Sequence, residues 1–133
     1  MLSLTDAKTA AQAATEKADE LGIKITVSVV DEHGVATLTE RMDGALHISP
    51  EFATTKAYTS AVLGLSTQDI GQYSGEGGPF YGVSSAFGGK IMVIAGGIPV
   101  KRNGEVIGGI GVGGSYDVNQ DVECATAAVS AIS

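Results

Sequence analysis

The sequence predicts an α+β fold built on an antiparallel sheet, and three observations lead there. Helical periodicity opens the chain and closes it. Two hairpin signatures lie between. Nowhere do strands and helices alternate in the strand–helix–strand rhythm that a parallel sheet requires. With 133 residues the chain is expected to form a single domain over 1–133, long enough to bury roughly two-thirds of its unfolded surface.

The first helix is expected over 3–21, where Leu4, Ala7, Ala11, Ala14, Ala18 and Leu21 recur at spacings of three and four. Ser3 and Asp6 form a capping pair before it and Gly22 stops it. Its alanine face suits close packing against a sheet. Next, Ile23, Ile25, Val27 and Val29 alternate with Lys24, Thr26 and Ser28, and a second run from Val35 to Met42 follows the link Asp31-Glu32-His33-Gly34. That is a β-hairpin signature. A second helix begins near Ser49-Pro50-Glu51 and ends near Gly64, with Lys56 about two turns inside it.

From Gly64 to Gly89 the periodicity is lost in a glycine-rich stretch carrying Tyr73, Phe80, Tyr81 and Phe87. It reads as a long loop, and such loops in compact domains are usually functional or meet a partner. Lys90 to Ala95, Ile98 to Lys101 and Glu105 to Val112 then read as three strands, the last two joined at Asn103-Gly104, a pair that supplies the positive φ angles of a hairpin turn. Val118, Val122, Ala125, Val129 and Ile132 mark an amphipathic final helix.

Composition narrows the function. A formal charge of −7 with only 8 basic residues, scattered singly or in pairs, argues against nucleic acid and against anionic membranes as partners. Cys124 is the single cysteine, so no disulfide forms within the chain and a multi-cysteine zinc site is excluded. No metal site is expected. The opening residues Met1 to Asp6 lack the basic and apolar regions of a secretion signal, and no stretch approaches the roughly 20 apolar residues of a spanning helix. A cytoplasmic protein is expected.

The chemistry is concentrated between the hairpin and the second helix. The loop ending at Ser49 opens a helix, whose free N–H groups and positive dipole end attract a carboxylate or phosphate. Arg41 as a bidentate fork and Lys56 as a point charge would complete an anion site; a surface ion pair between Arg41 and Asp43 is the plainer alternative. His33 lies in a turn and His47 just before a helix; a haem needs only one axial imidazole, so each is a candidate. Gly109-Ile110-Gly111-Val112-Gly113-Gly114 spells the dinucleotide fingerprint, but the second strand and acid that the fingerprint needs do not follow before Ser133. A strand with one bare face, open to a helix or a flat ligand, is the better reading. No nucleophile elbow is present, and acid/base work would fall to Asp31, Asp43, Lys56 or a histidine.

Together, Val29-Val30-Asp31 with Gly34, Arg41-Met42-Asp43-Gly44-Ala45, Ser49, Lys56-Ala57, Gly96-Gly97 before Ile98-Pro99-Val100, and the run from Gly104 to Val112 resemble the GlcG/HbpS family, which includes the C-terminal domain of PduO-type proteins. The resemblance spans nearly the whole chain. It implies a profilin-like three-layer α/β/α fold with a five-stranded antiparallel sheet, and homo-oligomers, commonly octamers. Some members bind haem, others are encoded beside glycolate or diol utilisation genes, and a few act on small unsaturated acids. It carries over to Asp31, Arg41, Asp43, Lys56 and Gly97. The acidic iron-binding motifs of the exported haem sensors are not matched by these residues, and the secretion signal of those sensors is not expected here.

The leading expectation is therefore a homo-oligomeric protein that holds a small anionic ligand, haem among the candidates, as an accessory to small-molecule catabolism. Its pocket would lie between the hairpin end, the second helix and the Gly96-Gly97 turn, with Arg41, Asp43, Ser49, Lys56, Gly96 and Gly97 as ligand-binding residues. One alternative is an enzyme on a small unsaturated organic acid, with Arg41 and Lys56 orienting the carboxylate and Asp31 or Asp43 moving a proton. Another is a structural accessory subunit assembled through the aromatic loop.

Overall fold

The computed structural model describes residues 1–133 as four strands and four α-helices. Helix α1 (Leu4–Leu21) starts at a reciprocal cap: the Asp6 N–H donates to Ser3 Oγ and the Ser3 N–H to Asp6 Oδ2, both at 3.0 Å. It ends on Gly22, whose φ of 72° needs a residue without a side chain. Strands β1 (Thr26–Asp31) and β2 (Ala36–Arg41) form the expected hairpin. Asp31 Oδ1 accepts from the N–H groups of His33 (2.8 Å) and Val35 (3.0 Å), which closes the turn. Helix α2 (Ser49–Leu63) and the short α3 (Thr67–Tyr73) follow, then β3 (Gly97–Arg102), β4 (Glu105–Gly113) and α4 (Val118–Ile132).

The sheet is antiparallel throughout, in the order β2-β1-β4-β3. Val27 stands opposite Val112 and Val29 opposite Ile110 on one face, where they join the alanines of α1 and Cys124, Ala125 and Ala128 of α4 in the main core. On the other face Thr26, Ser28 and Val30 stand opposite Gly113, Gly111 and Gly109. Helix α2 lies directly on that bare stripe: a Cβ built on Gly109 would come within 2.5 Å of Ala57 O, and one on Gly113 within 2.6 Å of the Phe52 side chain. The bare strand face read from the fingerprint-like run is therefore a helix seat.

Two expectations are corrected. The sheet has four strands, not five, because Lys90 to Ala95 does not join it. A side chain of α2 takes that segment's backbone groups instead: Thr59 Oγ1 donates to Lys90 O (3.3 Å) and accepts from the Met92 N–H (2.9 Å). The profilin-like, three-layer α/β/α arrangement implied by the resemblance is thus not what the chain forms. The helices are shared unequally, α2 alone covering the glycine face while α1 and α4 pack on each other and on the aliphatic one. Second, the stretch from Gly64 to Gly89 is not patternless. It holds α3, capped by Ser66 Oγ accepting from the Asp69 N–H at 3.1 Å, and single 3-10 turns at Val83–Ser85 and Phe87–Gly89. No helix is long and apolar enough to cross a membrane.

Candidate functional site

The N-terminal half of α2 and the loop before α4 enclose a cavity of about 540 Å³. Leu46, Ile48, Phe52, Ile94 and Val118 give it apolar walls, and His47, Ser49, Lys56, Ser115, Tyr116 and Asp121 supply the polar groups. Its volume lies within the roughly 300–1,000 Å³ of typical small-molecule sites.

Lys56 is the largest fully buried side chain in the protein. Its Nζ donates to Val112 O at 2.8 Å and to Asp121 Oδ2 at 3.1 Å, and stands 5.6 Å from the centre of the Phe52 ring. Asp121 Oδ1 also accepts from the Ser115 N–H at 3.2 Å. The lysine fits because its neighbours have no side chains: a Cβ on Gly96 would lie 2.8 Å from Nζ, and one on Gly111 3.0 Å from Lys56 Cβ. Burial lowers the Lys56 pKa and raises that of Asp121, each partner's charge offsetting part of the other's shift. Both shifts favour the neutral amine and neutral acid.

The expected anion site is not assembled as such. Ser49 is buried, its Oγ donating to Leu46 O (2.6 Å) and sharing a hydrogen bond with Thr26 Oγ1 (2.8 Å). The first turn of α2 has few free donors: Ser49 N–H donates to Leu46 O, those of Glu51 and Phe52 to Ile48 O, and Pro50 has none. Arg41 forms no ion pair with Asp43. Its Nη2 donates to Ala45 O at 2.9 Å and lies 3.4 Å from His47 Nδ1, so the guanidinium braces the chain entering α2. Asp43 is exposed in that link, and Asp31 is occupied by the hairpin turn. Gly96 and Gly97 lie behind the cavity, where Gly97 packs on Lys56 O and donates its N–H to Thr67 Oγ1 at 2.9 Å.

Of the two histidines, His47 lines the cavity, while His33 sits at the hairpin tip with its side chain 77% exposed, 3.6 Å from Glu32. The cavity's donor set suits haem: one imidazole beside apolar walls, with Arg41 next to it, is the kind of arrangement a porphyrin with acidic substituents requires. The sulfur of Met42, the residue after β2, accepts the Ile25 N–H at 3.4 Å.

Asp121 escaped the sequence reading. The signal for it was a carboxylate three residues after Val118 and four before Ala125, on the side of α4 that the helical period marks as buried. Phe52 and Tyr116, also in the cavity wall, carry no such signal.

Comparison with known proteins gives the chain its relatives. The corrinoid adenosyltransferase PduO of Salmonella typhimurium is 37% identical over 131 residues, covering 98% of this chain; the chain spans only 39% of PduO's length. A 15.0 kDa protein from the dhaT–dhaS intergenic region of Citrobacter freundii is 38% identical over 120 residues, covering 90% of this chain and 84% of its own. Among solved structures, a complex of PduOC with heme superposes with a TM-score of 0.94 at 37% identity, covering 98% of this chain and 94% of that one. The family described as haem degrading protein HbpS-like matches residues 2–130, and the chain belongs to that HbpS-like family.

Proposed function

We propose that the cavity at the head of α2 holds a small, largely apolar ligand with an acidic group, and that haem, with its two propionates, is such a ligand. The observation that carries this reading is that one cavity joins apolar walls to the His47 imidazole and the Lys56 amine. The solved PduOC complex with heme, similar over nearly the whole chain, supports it. His47 would hold the iron through the ring nitrogen turned away from Arg41, and Arg41 would meet a propionate. Haem supplies an iron centre that takes imidazole as an axial ligand. The protein would serve as an accessory to small-molecule catabolism of the glycolate or diol type.

A haemin titration followed at the Soret band tests the reading. A saturable band retained in His33→Ala and lost in His47→Ala is the expected result. No saturable band in the unmodified protein overturns it for haem, and a band lost only in His33→Ala moves the site to the hairpin tip.

The same reading includes self-association, as an octamer. Its support is the exposure of Phe80 (44%), Tyr81 (67%) and Phe87 (74%), clustered in one glycine-rich segment. Replacing Phe80 and Tyr81 by serine is expected to lower the mass measured by light scattering. An unchanged mass would place the assembly surface elsewhere.

A further inference from the structure

We propose that Lys56 and Asp121 form a carbonyl-capturing pair: the lysine amine condenses with a small aldehyde or ketone held in the cavity, and the Asp121 carboxyl delivers the proton with which water departs. The inference rests on the reading of the cavity as a ligand site and names the class of ligand that its floor can take.

Geometry carries it. An ion pair that only braces a core is sealed on all sides, whereas Lys56 and Asp121 both belong to the wall of a cavity large enough for a ligand. An ammonium has three donors, and here two are placed, on Val112 O and Asp121 Oδ2. Val112 O is a fixed backbone acceptor in β4, so it can hold the amine while the other contacts change. The glycine at Gly96, with a φ of 128°, keeps the space beside Nζ free of a side chain. Phe52, Ile94 and Val118 would receive an alkyl or aryl body, which selects an apolar carbonyl compound over a polyol.

The chemistry balances without a further reactant. Burial shifts both groups toward their neutral forms; passage of one proton from Nζ to Asp121 Oδ2 across their 3.1 Å hydrogen bond turns the ion pair into an amine, the nucleophile, and a carboxylic acid. Its lone pair forms the C–N bond while the carbonyl π pair moves to oxygen, which takes the proton from Asp121. The nitrogen returns a proton to Asp121. A second transfer from Asp121 to the hydroxyl expels water as the nitrogen lone pair forms the C=N bond. The products are a protonated imine, one water and the Asp121 carboxylate, which then pairs with the iminium in place of the ammonium.

The test is reductive trapping in the unmodified protein. Butanal or benzaldehyde is added with sodium cyanoborohydride, and labelling is read by intact mass and peptide mapping. The expected product gains one aldehyde less its oxygen atom, with Lys56 labelled about tenfold faster than the exposed Lys8, Lys24, Lys90 and Lys101. Asp121→Asn, which keeps the shape and a hydrogen-bonding group, should slow Lys56 labelling about a hundredfold, and Asp121→Glu should restore part of it. Labelling of Lys56 no faster than the exposed lysines overturns the proposal and leaves the pair as an internal strut. So does a Lys56 rate indifferent to Asp121→Asn. Haemin titration is read separately, so a cavity that binds haem yet traps no aldehyde refutes the carbonyl chemistry alone.

Discussion

On one face of the sheet, Val27, Val29, Ile110 and Val112 meet the alanine stripes of α1 and α4; on the other, Thr26, Ser28 and three glycines meet α2. The first face works by area. Each fully buried aliphatic side chain contributes roughly 1.5–3 kcal/mol, and the alanines opposite let the helices come near enough to leave no gap. The second face gains little from area, because it has few side chains to bury. It works by proximity: α2 sits so close to β4 that Lys56 and Ser60 become buried against backbone. The comparison teaches where chemistry can be housed in a small protein. The aliphatic face supplies the stability, and the glycine face spends some of it on a buried charge pair beside a cavity.

The largest expected effect comes from the charge pair. Lys56→Met strands Asp121 in the interior and is expected to cost about 3–5 kcal/mol in urea denaturation, whereas Lys56→Met with Asp121→Leu should recover most of that. A single variant as stable as the unmodified protein would show that Asp121 is readily hydrated, and the two faces would then differ less than described. Next comes a pair of neighbours in β4. Gly111→Ala points a methyl at the α2 backbone and should cost about 3 kcal/mol, while Ile110→Val, one residue away on the aliphatic face, should cost about 1 kcal/mol. Equal costs would break the comparison outright.

Two smaller effects sharpen the aliphatic side. Burial pushes the Cys124 thiol up to about 12, with the Asp121 and Glu123 charges adding to the shift. Iodoacetamide at pH 8 should therefore leave Cys124 unmodified in the folded protein and modify it in urea. The smallest is the cap of α1. The Ser3 N–H and then Arg102, whose Nη2 lies 3.2 Å from Asp6 Oδ2, hold the Asp6 carboxyl below its usual 3.8. The folded state thus binds this proton less readily than the unfolded one. Its contribution is fully present above pH 3.8 and is lost as the pH falls through the lower folded value. Acid unfolding of Asp6→Asn should lack that small component.

Much of this design could be read from residues alone. Capping signals placed α1, alternation placed the β1–β2 hairpin, and Asn103-Gly104 placed the turn before β4, because each is a local rule that neighbouring residues satisfy by themselves. Lys90 to Ala95 looked like a strand because its side chains suit one; whether its backbone pairs with β3 or with Thr59 is decided by residues some thirty positions away. Helix α3, only 7 residues long, is too short to show a period. The site was legible in its lysine and obscure in its partner. Lys56 stood out as the one basic residue of the second helix, about two turns inside it, but nothing local ties it to Asp121, which the β4–α4 connection delivers from the far end of the chain.

The bare stripe of β4 also sets how this protein can be altered. Every side chain that lines the cavity is carried by α2, by α4 or by the loops beside them, and none by the central positions Gly109 and Gly111 beneath α2. The shape and polarity of the cavity can therefore be changed at His47, Phe52, Tyr116 or Val118 with no compensating change in the strands. The glycines act as a blank page: they admit no marks themselves, and for that reason they do not constrain what is written on the helix above.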